Sequence, residues 1–133
     1  MLNIINKTRS KIDLHVVNKA ANVFLKTYKK EKLELSIVFV GDRIIKKLNK
    51  NYRGKDKVTD ILSFEGDDLE FGEIIISFQQ IKRQSKLYSK NINEELIFIL
   101  VHGLLHLSGY NDDTENERKN MIRLGNEFIK KYL

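Results

Sequence analysis

The chain contains no cysteine and no proline. Without cysteine it can build no disulfide framework, no thiolate-ligated zinc site and no thiol nucleophile, and the composition suits a reducing compartment. Without proline, chain reversals fall to Gly, Asn and Asp. Long apolar runs are missing too. The longest, Leu96 to Val101, is too short to span a bilayer and ends at a histidine. The N-terminal stretch MLNIINKTRSKIDLHVV lacks the uninterrupted apolar core and small-residue cleavage site of a signal peptide, so a soluble, cytoplasmic protein is expected. Histidine is scarce, with three in the chain, which makes the position of each one informative.

What is present describes an ordinary globular domain. The 133 residues, 41% hydrophobic and 32% charged, fit one domain spanning residues 1–133, large enough to bury a core unaided by disulfides. The formal charge of +6 is unevenly spread. Residues 43–57 carry Arg43, Lys46, Lys47, Lys50, Arg53, Lys55 and Lys57 against one acid, Asp56, whereas residues 60–73 carry Asp60, Glu65, Asp67, Asp68, Glu70 and Glu73 with no base. A basic stretch beside an active site draws in polyanions, although the same charges on their own describe a solvated lysine-rich face.

The periodicity predicts a short strand over Asn3–Ile5 and a helix opening near Ser10 and Asp13, with Leu14, Val17, Ala21, Phe24 and Tyr28 at helical spacing. Leu33–Val40 reads as a covered strand. Asp42 is expected to cap a short helix ending near Lys50, followed by a polar loop over Asn51–Thr59. Strands at Asp60–Phe64 and Phe71–Ser77 flank an acidic turn and form a hairpin. Ser77 caps a helix to about Tyr88, and Asn93 starts another through Leu107, with Glu94 and Glu95 favoured in its first turn and Gly109 ending it. Thr114 and Glu117 form a capping box for a last helix carrying Met121, Leu124, Phe128 and Tyr132. This order implies a mixed sheet covered by helices, in an α+β or α/β sandwich.

The helix ending in Val101-His102-Gly-Leu-Leu-His106 is apolar almost all round and therefore expected to be buried. His102 and His106, four residues apart, emerge on one face about 5–6 Å from each other, close enough for both imidazoles to reach one divalent ion. Two buried histidines bonded to other groups are the plainer alternative, but ligand spacing in an apolar helix favours the metal. His15, beside Asn18, Lys19 and Asn22, reads as a solvated surface residue. An open zinc site usually has three protein ligands, and a carboxylate just past the Gly109 turn can fold back to supply the third. Asp112 and Asp113 qualify almost equally, each competing with a role at the start of the next helix. The pattern departs from H-E-x-x-H because residue 103 is glycine, which removes the general base of such peptidases; the ion's own Lewis acidity can activate water instead. A small residue at 103 is also expected to leave room above the metal.

His102-Gly-Leu-Leu-His-Leu-Ser-Gly-Tyr-Asn-Asp112 resembles the signature H-G-x-L-H-L-x-G-Y-D-H of the YbeY family of bacterial endoribonucleases. Two further blocks resemble the family in the same order, Leu48-Asn-Lys-Asn-Tyr-Arg53-Gly-Lys-Asp-Lys-Val-Thr59-Asp60-Ile-Leu-Ser-Phe64 and Phe71-Gly-Glu-Ile-Ile-Ile-Ser77. The resemblance spans essentially the whole chain. It implies a zincin-like α+β fold with a buried metal-binding helix, and a hydrolase that cleaves single-stranded RNA. It also implies roles in 16S rRNA 3′-end maturation and ribosome quality control, with rRNA and the small ribosomal subunit as partners and neither DNA nor a membrane among them. It selects Asp112 as third ligand beside His102 and His106, assigns catalytic roles to Arg53 and His102, and places Arg53, Lys55 and Lys57 on the RNA. A guanidinium suits a phosphodiester because it donates two parallel hydrogen bonds; pairing with Asp56 or Asp60 is its alternative. Asp60 is expected to be structural, bonding loop amides.

The chain departs from the family pattern at four places: Asp112 stands for the third histidine, Asn111 for aspartate, Val58 for proline and Glu73 for aspartate. One divalent ion per chain is expected, Zn²⁺ by resemblance. The Asp112 carboxylate moves preference toward harder ions such as Mn²⁺. The alternative to a nuclease is an RNA- or ribosome-binding assembly factor whose metal is mainly structural. A hydrolase of peptides or small molecules is disfavoured by Gly103 and the basic loop.

Overall fold

Alternation decides the sheet. In the computed structural model, which describes residues 1–133, β1 (Leu2–Asn6), β2 (Glu34–Val40), β3 (Ile61–Glu65) and β4 (Glu70–Ser77) form one four-stranded sheet in the order β1-β2-β4-β3. β1, β2 and β4 are parallel, while β3 pairs antiparallel with β4 as the expected hairpin. Leu35, Ile37 and Phe39 of β2 and Ile74 and Ile76 of β4 point to one face and join the main core, which is lined also by Phe24, Leu100, Leu104 and Phe128. Val40 and Ile75 point to the other face and pack with Ile45 and Leu62 in a small second cluster. Successive strand side chains face opposite ways, so one strand serves both cores.

Parallel neighbours need crossovers. The first is α1 (Leu14–Thr27) between β1 and β2, and α2 (Asp42–Arg53) follows β2. With α3 (Phe78–Leu87), α4 (Ile92–Leu107) and α5 (Glu115–Tyr132), α1 covers the main core, whereas α2 supplies Ile45 to the smaller one. The result is one α+β domain, a mixed sheet covered by helices. No helix is long and apolar enough to cross a membrane.

The caps adjust several expectations. Asp13 caps α1 by accepting from the Val16 amide, Ser77 caps α3, and Thr114 with Glu117 forms the complete capping box of α5. The N-cap of α4 is Asn91 rather than Asn93. Asp42 does not cap α2. Gly41 holds that position with no side-chain bond, because the Asp42 carboxylate is engaged elsewhere, accepting from Arg83 at 2.8 and 2.9 Å and from Ser77 Oγ at 2.9 Å. α2 also runs past Lys50 to Arg53, ending at Gly54 in the left-handed region. Tyr52 and Arg53 therefore stand on a helix and not in a loop. Beyond them the buried Asn49 side chain donates to the Lys57 carbonyl at 2.9 Å, pinning the 54–57 segment against the helix.

Candidate metal centre

α4 passes beneath β3 at unusually close range, and Gly103 permits it. A methyl group there would meet Ile61 Cδ1 at 2.5 Å and Ser63 Oγ at 3.1 Å, and Ser63 Oγ donates to the Gly103 carbonyl at 3.4 Å. Position 103 faces the sheet, so its glycine serves helix–strand packing and does not open space above the metal. A glutamate at this position would have to displace the side chains of Ile61 and Ser63. The neighbouring positions 102 and 106 face out of that contact, into a cleft of ≈ 650 Å³ whose walls include β3, the end of α2 and the turn after α4.

The turn folds back as its sequence suggests. Gly109 adopts φ +104°, a backbone conformation that favours glycine, and the Tyr110 amide returns to the Leu105 carbonyl at 3.2 Å. Two residues later, Asp112 Oδ2 lies 3.2 Å from His102 Nε2 and 3.2 Å from His106 Nε2. The donor atoms of all three residues lie within 4.8 Å of one another. Two donors bonded at about 2.0–2.1 Å to a tetrahedral ion are roughly 3.3 Å apart, so both measured edges match a coordination polyhedron. The two-nitrogen, one-oxygen donor set suits a divalent transition ion. Asp113 lines the same cleft, but its carboxylate bonds to neither histidine.

The protonation states also suit ligation. Burial pushes the His102 pKa down, only partly offset by the hydrogen bond and charge of Asp112 and the charge of Asp60. Burial acts to raise the Asp112 carboxyl, but the charge of His106 and the hydrogen bonds from both histidines together outweigh it, and the net shift is downward. Neutral imidazole and ionised carboxylate are the forms that bind metal. The side chains are 21%, 29% and 34% exposed for His102, His106 and Asp112, so the tripod is open on its cleft side.

Tyr52 packs edge-on against Phe64 of β3, ring centroids 5.1 Å apart, and this contact sets the end of α2 over the cleft. Arg53 is part of the lining. It is exposed and makes no ion pair with Asp56 or Asp60, which leaves its guanidinium free for a ligand. Lys55 and Lys57 are exposed and lie outside the cleft lining. His15 is exposed on α1, away from the tripod.

Sequence reasoning missed a polar support behind the cleft. The Asp60 carboxylate accepts from Gln84 Nε2 at 3.2 Å and from Thr59 Oγ1 at 3.4 Å, not from loop amides. Gln84 Nε2 also donates to Glu95 Oε2 at 3.0 Å. Glu95 is 2% exposed, with Lys90 Nζ 3.7 Å from its other oxygen. Glu95 lies seven residues before His102, on the same face of α4; that spacing was the available signal, but the first-turn position of Glu95 suggested only a dipole contact.

Fold and site together define a small α+β domain with a candidate three-ligand metal position open at the base of a cleft. The family model described as Endoribonuclease YbeY matches residues 3–133. Proteins named Endoribonuclease YbeY include one from Acholeplasma laidlawii, 41% identical over 105 residues and covering 77% of each chain. Another, from Mycoplasmopsis synoviae, is 35% identical over 133 residues, covering 90% of this chain and 86% of that one. A solution structure of a Thermotoga maritima protein superposes with a TM-score of 0.67 over 98% of this chain and 87% of its own, at 24% identity, a likeness of fold. This chain belongs to the YbeY endoribonuclease family.

Proposed function

We propose that the protein is a metal-dependent, single-strand-specific endoribonuclease that acts in the cytoplasm on rRNA of the small ribosomal subunit, maturing the 16S rRNA 3′ end and serving ribosome quality control. The observation that carries the reading is the tripod of His102, His106 and Asp112, open to a cleft that Arg53 also lines. The family name supports the reaction, and the family resemblance supports the rRNA substrate. A divalent ion held there would supply the Lewis acidity that makes water reactive toward a phosphodiester near neutral pH. Zn²⁺ fits the two imidazoles, and the Asp112 carboxylate extends the range to Mn²⁺.

The chain's own residues take the remaining work. The Arg53 guanidinium can bind the non-bridging phosphate oxygens and stabilise the charge that grows on them. His102 and His106 would hold the ion at the cleft floor, beside the apolar side chains of Phe98 and Ile99. Lys55 and Lys57 add phosphate attraction outside the cleft. An assembly factor with a structural metal is the competing reading. Structural zinc sites are closed by four protein ligands, whereas this tripod has three and an exposed side, which weighs toward catalysis.

The test is metal analysis of the purified protein, then cleavage of labelled single-stranded RNA with and without chelator. One divalent ion per chain, chelator-sensitive cleavage, and loss of both in His106→Ala support the reading. Stoichiometric metal without cleavage would transfer it to the assembly factor.

A further inference from the structure

A second concavity, of ≈ 830 Å³, lies between the loop after β1 and the N-terminal end of α2. Lys7, Arg9, Lys11, Arg43 and Lys82 line it, and no acidic residue does. All five are exposed and none forms an ion pair. The nearest carboxylate in sequence, Asp42, is already held by Arg83. Like charges gathered in one hollow repel each other, and an anion placed there relieves that repulsion.

The loop is built to present its charges. Asn6 Oδ1 accepts from the Thr8 amide at 2.9 Å and from Thr8 Oγ1 at 2.6 Å, Asn6 Nδ2 donates to the Ser10 carbonyl at 2.9 Å, and the Ser10 amide donates to Thr8 Oγ1 at 3.1 Å. These inward bonds leave the alternate residues Lys7, Arg9 and Lys11 exposed.

The hollow is also joined to the metal cleft. Along α2, Arg43, Lys46, Lys47 and Lys50 recur at helical spacing on one face, away from the buried Ile45, and Arg53 follows at the helix end, one turn beyond Asn49. Arg43 lines the hollow and Arg53 lines the cleft. Ten residues of helix separate them by about 15 Å, roughly the length of four stacked nucleotides. A small anion would occupy one end of this track; a polymer with phosphates at regular spacing would occupy all of it.

We propose that this hollow is a second RNA-contact surface, which grips phosphates of the substrate strand about 15 Å from the metal cleft while the basic face of α2 carries the strand between them. The choice of RNA as occupant rests on the endoribonuclease reading. The surface would add affinity and set a minimum efficient substrate length, with no part in bond cleavage.

The test uses the full-length protein in chelator-containing buffer, with fluorescence anisotropy of labelled single-stranded oligouridylates of two and sixteen nucleotides. The wild type should bind the longer RNA at least about tenfold more tightly. Arg9→Gln/Lys11→Gln/Lys82→Gln should lose about tenfold in affinity for the longer RNA and nothing for the shorter. Its log–log salt slope should be shallower by about 2, because each phosphate contact on a single strand contributes about 0.7. The charge-reversed triple variant, with Glu at the same positions, should lose more. Equal losses for both lengths, no loss for the longer one, or no length dependence in the wild type would overturn the proposal. So would a loss seen only with phosphatidylserine vesicles, which would assign the hollow to a lipid surface. Metal-loaded cleavage, measured in parallel, separates the two claims. A length-dependent binding loss in a protein that cleaves nothing refutes the nuclease reading alone. Normal cleavage without the binding loss refutes this surface alone.

Discussion

Exchanging Asp112 for asparagine keeps the shape of the tripod and removes its only negative charge. Asp112 Oδ2 is equidistant from His102 Nε2 and His106 Nε2, at 3.2 Å, so all three donors can reach one ion. At a metal–oxygen bond of about 2.1 Å, a unit negative charge attracts a divalent ion by about 4 kcal/mol even with the full dielectric of water. The amide carbonyl dipole restores part of this. The expected loss is therefore about 2–4 kcal/mol, roughly 30- to 1000-fold in Kd. The side chain is a third exposed and contributes nothing to the core, so Asp112→Asn should leave the far-UV circular dichroism unchanged. Competition against a chromophoric chelator measures Kd for Zn²⁺ and Mn²⁺, and the loss should be larger for Mn²⁺, the harder ion. Asp112→His should retain the fold and shift preference toward Zn²⁺. An Asp112→Asn protein that binds both ions within threefold of the wild type, or an equal loss in Asp113→Asn, would refute the reasoning.

Three further outcomes are expected. Arg53→Ala should lower the single-turnover RNA cleavage rate at saturating protein by about tenfold or more, whereas Lys47→Ala should change only affinity; equal, purely affinity-based losses would make Arg53 a tether. Gln84→Ala should destabilise by about 1–3 kcal/mol in urea unfolding, because it strips the hydrogen bond from the buried Glu95 carboxylate, and the loss should shrink in a Glu95→Gln background; strictly additive losses would contradict the coupling. Arg83→Ala concerns pH. The hydrogen bond from Arg83, followed by that from Ser77, holds the Asp42 carboxyl below its usual value of 3.8 despite some burial. A carboxylate with a depressed pKa contributes stability above its unfolded-state pKa and loses it as pH falls through the folded value. The variant should therefore be less stable at pH 7 by under about 1 kcal/mol, with the gap closing well below pH 3.8, and an unchanged gap at acid pH would be the contrary result.

Much of the site was legible because helical spacing is local. Four residues separate His102 from His106, and any α-helix puts that pair on one face. Gly109 needed only its own backbone freedom to end α4 and return the chain. The capping box at Thr114 was equally readable from four consecutive residues. The choice between Asp112 and Asp113 was not local. Both follow the turn, and the sequence alone reached a decision only through the family resemblance; the distances show which carboxylate meets the imidazoles.

Long-range contacts decided the rest. Gly103 suggested an open space above the metal, but what a residue without a side chain accommodates depends on what packs against it, and that is β3, distant in sequence. Asp42 has the chemistry of a helix cap, yet Arg83 lies 41 residues away along the chain and takes the carboxylate instead. Asp60 from the loop before β3, Gln84 from α3 and Glu95 from α4 carry no shared motif; only the tertiary structure makes them one network. The sequence by itself determined the elements, the histidine pair and the basic character of α2, because each follows from periodicity within a few turns of chain. Which side chains share a cleft, and which charges are left without partners, were decided by the packing of α4 under the sheet and of α2 over it.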